Sequence, residues 1–248
     1  MKKIIKRILQ VTGILIGILI ILSIVFYLKM NSIIKTMSAV KTGEVVEQVY
    51  AVKDGFVNMF LVKDSDYYVA IDAGNDPEVI SAGLKKLNID PDKVIAVMLT
   101  HTDGDHVAGL KLFKNARVYL SREEEQMING KTARMMNGHN KIDTKEYTLL
   151  DDQQTIQIGT VKIKGILTPG HTPGSMCYQV NDAFLFVGDA FGLNKGKVER
   201  PNKFFTADMK TAIESFDKIT NLPDAEFIFT AHAGFSNDYK NAVKTHLK

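Results

Sequence analysis

The sequence predicts an α/β (α+β) domain whose sheets are covered by helices on their outer faces, preceded by one transmembrane helix. Three observations carry this prediction. Residues 8–28 contain no charged side chain. Residues 45–71 hold three β-prone runs in close succession, separated by turn residues. From residue 76 onward, strand-length apolar runs alternate with segments whose apolar residues recur at helical spacing. No period of 20–50 residues is present, which excludes a solenoid or propeller.

As a helix, Ile8–Leu28 would span about 31 Å at ~1.5 Å per residue, enough to cross a bilayer core. Lys2, Lys3, Lys6 and Arg7 precede it, so the positive-inside rule puts the N-terminus in the cytoplasm and the domain outside. A cleaved signal peptide is the rival reading, with Ser38-Ala39-Val40 as a weak cleavage candidate. Against it, the run exceeds the roughly 7–15 apolar residues of such peptides. Gly13 and Gly17 interrupt a span without a polar face, which argues against a buried core helix. The expected organisation is residues 1–30 as cytoplasmic tip and signal-anchor helix, 31–43 as linker, and 44–248 as the catalytic domain. The expected location is the cell membrane, with that domain extracytoplasmic.

Residues 1–41 hold seven of the 31 Lys and Arg and no acid, leaving 24 basic against 28 acidic side chains in the remainder, net −4. The overall basic balance therefore belongs to the N-terminal segment and gives no support for nucleic-acid binding. The single cysteine, Cys177, excludes an intrachain disulfide and a thiolate-rich zinc site. It lies in an apolar run and reads as a small buried hydrophobe.

The domain opens with Val45–Val52, Phe56–Val62 and Tyr67–Ile71 as strands, the last ending in Asp72-Ala73-Gly74. Asp76 is placed as an N-cap with Pro77 at the first helical position, and Ile80, Leu84 and Leu87 mark one buried helical face. Val94–Leu99 follows as a buried strand, then Val107–Phe113 as a short helix and Ala116–Leu120 as a strand. Ser121–Asp151 is the least patterned stretch, charged from Arg122 to Glu125, with Met127, Ile128, Met135 and Met136 among glycines. It reads either as a helical lid over a site or as an amphipathic surface helix and loop. Gln154–Ile158 and Thr160–Ile166 form a hairpin around Gly159. Ser175–Val180, Ala183–Val187 and Glu226–Phe229 are further strands, Ala207–Ile219 a helix, and a closing helix runs from about Asn237 to Leu247.

The chemistry-bearing residues cluster after strand ends. Val94–Leu99 runs directly into Thr100-His101-Thr102-Asp103-Gly104-Asp105-His106. Two imidazoles and two carboxylates at the end of a buried strand are unfavourable unless a cation sits among them. His171 follows in Thr168-Pro169-Gly170-His171-Thr172-Pro173-Gly174, Asp189 in Val187-Gly188-Asp189, and His232 in Thr230-Ala231-His232. Only His139 and His246 fall outside this set.

In order and spacing these residues resemble the metallo-β-lactamase-fold superfamily, with H-x-D-x-D-H where the family carries H-x-H-x-D-H. The resemblance spans residues 46–235 and implies a four-layer αβ/βα sandwich with the site where its two sheets open. It further implies a first metal held by His101, Asp103 and His171, a second by Asp105, His106 and His232, and Asp189 bridging both. In the resembled family an Asp at the position of Asp72 supports the metal loop without binding metal. A simple turn Asp before Gly is the equal alternative.

Two divalent ions about 3.5–4 Å apart would provide a metal-bridged hydroxide near neutral pH. The expected function is thus a membrane-anchored hydrolase that cleaves an ester, lactone, lactam, thioester or phosphodiester in a small-molecule substrate. Asp105 would also accept a hydrogen bond from the nucleophile and move its proton. Zinc is the first expectation. The carboxylate of Asp103 in place of imidazole tilts the first site toward iron or manganese. Flavodiiron proteins of the same superfamily carry a Glu there together with a flavin domain that this chain lacks. A diiron oxidase or dioxygenase and a non-catalytic binding ectodomain are the competing classes. After Asp189, the basic residues Lys195, Lys197 and Arg200 are candidates for an anionic substrate group, against the alternative of solvated surface charge.

Overall fold

The computed structural model describes residues 2–134, 138–144, 146–222 and 225–244. The chain forms two compact units that divide between residues 37 and 38. The first is a single helix, α1 (Lys2–Ile34), with no buried residue. It is long and apolar enough to cross a membrane.

The second unit is built on two sheets. The first contains β1 (Gly43–Val46), β2 (Val49–Asp54), β3 (Val57–Asp64), β4 (Tyr67–Ile71), β5 (Val94–Met98), β6 (Arg117–Ser121) and β7 (Tyr147–Leu150), in that spatial order. β1 to β4 are antiparallel, whereas β4, β5, β6 and β7 run parallel. The second sheet contains β8 (Thr155–Ile158), β9 (Val161–Leu167), β10 (Met176–Val180), β11 (Phe184–Phe186), β14 (Phe227–Phe229) and β15 (Phe235–Ser236). A separate hairpin, β12 (Gly192–Asn194) and β13 (Lys197–Glu199), stands after β11.

Three apolar clusters define the layers. Phe60, Val62, Val69, Ile71 and Met98 of the first sheet meet Ile163, Tyr178, Val180, Phe186 and Phe229 of the second. On the far face of the first sheet, Met59, Leu61 and Val97 pack against Ile80 and Leu84 of α2 (Pro77–Lys86). On the far face of the second, Cys177, Leu185 and Ile228 pack against Phe216 and Ile219 of α5 (Met209–Thr220) and Tyr239 and Val243 of α6 (Tyr239–Val243). β3 and β5 are buried on both faces, which is why they read as continuous apolar runs rather than alternating ones. The helix starts are chemical: the Asp76 carboxylate accepts from Glu78 N, and Asp208 from Lys210 N and Thr211 N.

Several sequence expectations need correction. Val45–Val52 is two strands, not one: β1 and β2 form a hairpin in which Gln48 takes a φ of 66°. Glu47-Gln48 lacks the Gly or Pro that marks a turn. The helix expected over Val107–Phe113 starts earlier and is broken, into α3 (Gly104–Val107) and a 3₁₀ turn at Leu110–Leu112. The unpatterned stretch after Ser121 holds α4 (Glu125–Ile128) and, unexpectedly, β7, whose half-buried edge position gives no clear alternation. The hairpin around Gly159 is present as β8 and β9. The last helix is short, and its expected continuation to Leu247 lies outside the described residues, as do Met135, Met136 and His246.

Candidate metal centre

The candidate ligands come together because both sheets deliver chain to one edge. β4 and β5 run parallel, so Asp72 and the loop from Thr100 emerge side by side. β11 and β14 also run parallel, so Asp189 and His232 emerge together opposite them. The two edges are tied across the gap: Tyr178 Oη donates to Leu99 O at 2.8 Å, and Met176 N to Thr100 O at 2.8 Å. α3 carries Asp105 and His106 alongside the segment that follows β4, where Ala73 N donates to His106 O at 2.7 Å, and His106 is fully buried.

Among the described residues, donors form three overlapping groups, the atoms of each within 4.8 Å of one another: His101, Asp103 and His171; His101, His106 and Asp189; Asp105, His106 and His232. The Asp189 carboxylate stands between them. Its Oδ1 is 3.5 Å from His106 Nε2 and 3.1 Å from His232 Nε2, and its Oδ2 is 3.5 Å from His171 Nε2. Asp105 Oδ2 is 3.5 Å from His232 Nε2 and 3.8 Å from His106 Nε2.

Outside this ring, other groups orient the imidazoles. His106 Nδ1 lies 2.9 Å from Asp72 Oδ2, His232 Nδ1 2.9 Å from Phe56 O, and His101 Nδ1 3.1 Å from Thr100 Oγ1. Each of these contacts directs the opposite nitrogen, Nε2, toward the cluster. Asp72 also accepts from Thr100 N at 2.8 Å and from Thr100 Oγ1, and it holds a φ of 60° while doing so. A non-glycine residue in that conformation persists because its carboxylate is fixed from several sides.

A cation fits the donor set. His101 Nε2, His106 Nε2 and Asp189 Oδ1 are buried without a hydrogen-bond partner, although buried polar atoms are paired almost everywhere in proteins. The electrostatics agree. Burial alone would raise the Asp189 pKa, yet the imidazoles of His232, His106 and His171 hold it well below the ordinary carboxylate range. Burial likewise opposes charge on His106, but Asp72, Asp105 and Asp189 raise its pKa well above the usual histidine value. His232 is raised against burial by Asp189, and His171 is lowered chiefly by burial. Carboxylates and imidazoles that strain one another's protonation in this way are what metal ligands look like before the metal neutralises them.

Residues that the sequence did not single out complete the site. Glu124 is fully buried behind it and accepts from Thr102 N (2.8 Å) and Thr102 Oγ1 (2.7 Å) with one oxygen and from Thr172 Oγ1 (2.6 Å) with the other. It thereby joins the loop carrying His101 to the loop carrying His171. Arg134 reaches Asp103 and His171 from the stretch after α4, with Nη2 2.7 Å from Asp103 Oδ2 and 2.9 Å from His171 Nε2. Asn140 Nδ2 donates to Asp103 Oδ1 at 2.9 Å. Both lie in the region that offered lid and surface loop as alternatives, and no local pattern marks them.

No contact joins Lys195, Lys197 or Arg200 to the donor cluster among the described residues. Lys195 sits in the β12–β13 turn with a φ of 50°, and Lys197 Nζ donates to Asn241 O and Oδ1 on α6. His139 is exposed, with Nδ1 3.4 Å from Thr132 O.

These overlapping His/Asp groups at the mouth of a helix-covered double sheet define a metal-dependent hydrolase with a site suited to a binuclear centre. The chain belongs to the Metallo-beta-lactamase superfamily, whose sequence pattern it matches over residues 52–232. It is 27% identical to the probable metallo-hydrolase YqgX of Bacillus subtilis over 184 residues, covering 70% of this chain and 82% of that one. It is 27% identical to the hydroxyacylglutathione hydrolase of a Synechococcus strain over 204 residues, covering 80% and 71% respectively. The fold is similar to that of the Rm3 metallo-beta-lactamase, with a TM-score of 0.65 at 19% identity, covering 87% of this chain and 95% of that one.

Proposed function

We propose that this protein is a membrane-anchored hydrolase of small molecules, with zinc as its metal and its catalytic domain outside the cytoplasm. In this reading His101, Asp103 and His171 serve a first ion, Asp105, His106 and His232 a second, and Asp189 both. The observation that carries it is the set of buried, unpartnered atoms, His101 Nε2, His106 Nε2 and Asp189 Oδ1, aimed into one space. When bound, the two ions supply a nucleophilic hydroxide near neutral pH and offset oxyanion charge. The chain's own groups do the rest. Asp105, at 24% the most exposed of the three clustered carboxylates, takes the proton.

Apolar substrate groups are received by a cavity of about 360 Å³ lined by Met127, Pro173, Phe204, Phe205 and Ala207 beside Arg134. Hydrolysis is favoured by the names that the relatives carry, metallo-hydrolase and hydroxyacylglutathione hydrolase. Anchoring is supported by the uncharged span of α1 and the basic residues before it.

The test is elemental analysis of the full-length protein in mild detergent, followed by ester, lactone, lactam, thioester and phosphodiester assays. Zinc with turnover of one class supports the proposal, and Asp105→Asn should then reduce turnover by at least ~100-fold with the fold retained. Iron with oxygen uptake would replace the proposal by a redox enzyme, and absence of metal after reconstitution would end it.

A further inference from the structure

Arg134 occupies donors that the first ion would need. Its Nη2 lies 2.7 Å from Asp103 Oδ2, 2.9 Å from His171 Nε2 and 2.9 Å from Phe205 O, while its Nε lies 3.0 Å from both Asp103 oxygens. Asn140 takes up Asp103 Oδ1 as well. The Asp103 carboxylate is thus saturated, and of the first cluster only His101 Nε2 remains without a partner. The second cluster differs. No hydrogen bond from Arg134 reaches Asp105, His106, Asp189 or His232; His106 Nε2 is without a partner, and Asp189 Oδ1 faces only imidazoles, 3.1 Å from His232 Nε2.

Resting on the metal-centre reading above, we propose that Arg134 is a built-in cation of the first site. It competes with the first metal ion for Asp103 and His171, so that the second site fills first and tightly while the first fills weakly. A guanidinium is planar and carries its N–H donors in a fixed fork. It is also matched to its place. A planar fork pairs with a carboxylate through two N–H groups, which an imidazole at position 103 could not accept. The Asp at 103 and the Arg at 134 therefore act as one pair. The pair is four-fifths buried or more, at 18% and 12% side-chain exposure, where a broken charge pair is costly. A divalent ion entering the first cluster must separate the pair and expel the guanidinium from among its own ligands.

The experiment is zinc titration of the metal-stripped, full-length protein in detergent, read by calorimetry and by competition with a chromophoric chelator. The wild type is expected to take one equivalent tightly and a second at least ~100-fold more weakly. Arg134→Gln, which keeps length and removes the charge, should tighten the second equivalent about tenfold or more and leave the first unchanged. Arg134→Lys should fall between the two, because an ammonium cannot grip both carboxylate oxygens. A wild-type measurement guards against misfolding of the variants. The Arg134 Nε–H resonance in a ¹⁵N spectrum should stay fixed through the first equivalent of zinc and move only with the second. Equal affinity of both sites in the wild type, an unchanged gap in Arg134→Gln, or a resonance that moves with the first equivalent would each overturn the proposal and leave the metal-centre reading standing. Failure of the wild type to bind zinc at all would instead overturn that reading.

Discussion

Asp72 illustrates how much one carboxylate can determine. It fixes Thr100 N and Oγ1 with its oxygens and, through His106 Nδ1, the direction in which His106 Nε2 points. Asp72→Ala should therefore weaken zinc binding by about 10–100-fold, because a free imidazole no longer presents the right tautomer and orientation. Equilibrium dialysis measures this, and unchanged affinity would reduce Asp72 to a turn residue. Such residues differ in how they announce themselves. The seven candidate donors stand out because each follows a strand end in the chain, whereas a supporting role for Asp72 was implied only by the family resemblance, its place before Gly74 suiting a plain turn residue equally. Arg134 acts on a residue 31 positions away and Glu124 on one 22 positions away, from a stretch with neither periodicity nor motif. A long-range partner whose own surroundings are irregular leaves no mark in the sequence.

At the scale of elements, the site depends on how tightly loops are drawn against each other. Gly188 precedes Asp189 with a φ of 53°, and a Cβ there would stand 2.5 Å from Thr100 Oγ1 and 2.7 Å from Thr100 Cβ. Gly188→Ala should cost about 1–3 kcal/mol and push Asp189 away from the loop that follows β5. Thermal unfolding and zinc affinity should fall together, and a loss of stability with intact affinity would confine Gly188 to packing. Glu124 performs the corresponding service between the loops of His101 and His171. Burial raises its pKa, yet both its oxygens accept hydrogen bonds, so Glu124→Ala leaves Thr102 N, Thr102 Oγ1 and Thr172 Oγ1 without it. A loss of about 1–3 kcal/mol is expected on unfolding, with Glu124→Gln milder because it keeps one acceptor. Equal stability of the two variants would show that solvent replaces the side chain. Elements were legible to the degree that burial was one-sided or complete. β3, β5, α2 and α5 stood out, whereas β7, half-buried at a sheet edge, and the β1–β2 turn without Gly or Pro did not.

At the scale of the whole molecule, two sheets close around groups whose charges oppose one another until a cation arrives, and this couples metal binding to protons. In the metal-free protein His106 and His232 hold their protons above the ordinary histidine value. Their contribution to stability is complete below the unfolded value of about 6.5 and is lost as pH rises through the folded values. Asp103 and Asp189 are held below the carboxylate range, so theirs is present above about 3.9 and is lost as pH falls. The metal-free domain should therefore be most stable in the weakly acidic region between these limits. Zinc needs the same imidazoles deprotonated, so its binding must release protons and strengthen as pH rises. The gain in Tm on adding zinc should accordingly grow from pH 5.5 to pH 8, while the Tm of the chelator-treated protein declines on the alkaline side. Scanning calorimetry of both forms across that range checks the coupling. A zinc-induced gain that does not change with pH would mean that His106 and His232 are already neutral before the ion binds, and that their convergence on Asp189 is held by packing rather than by charge.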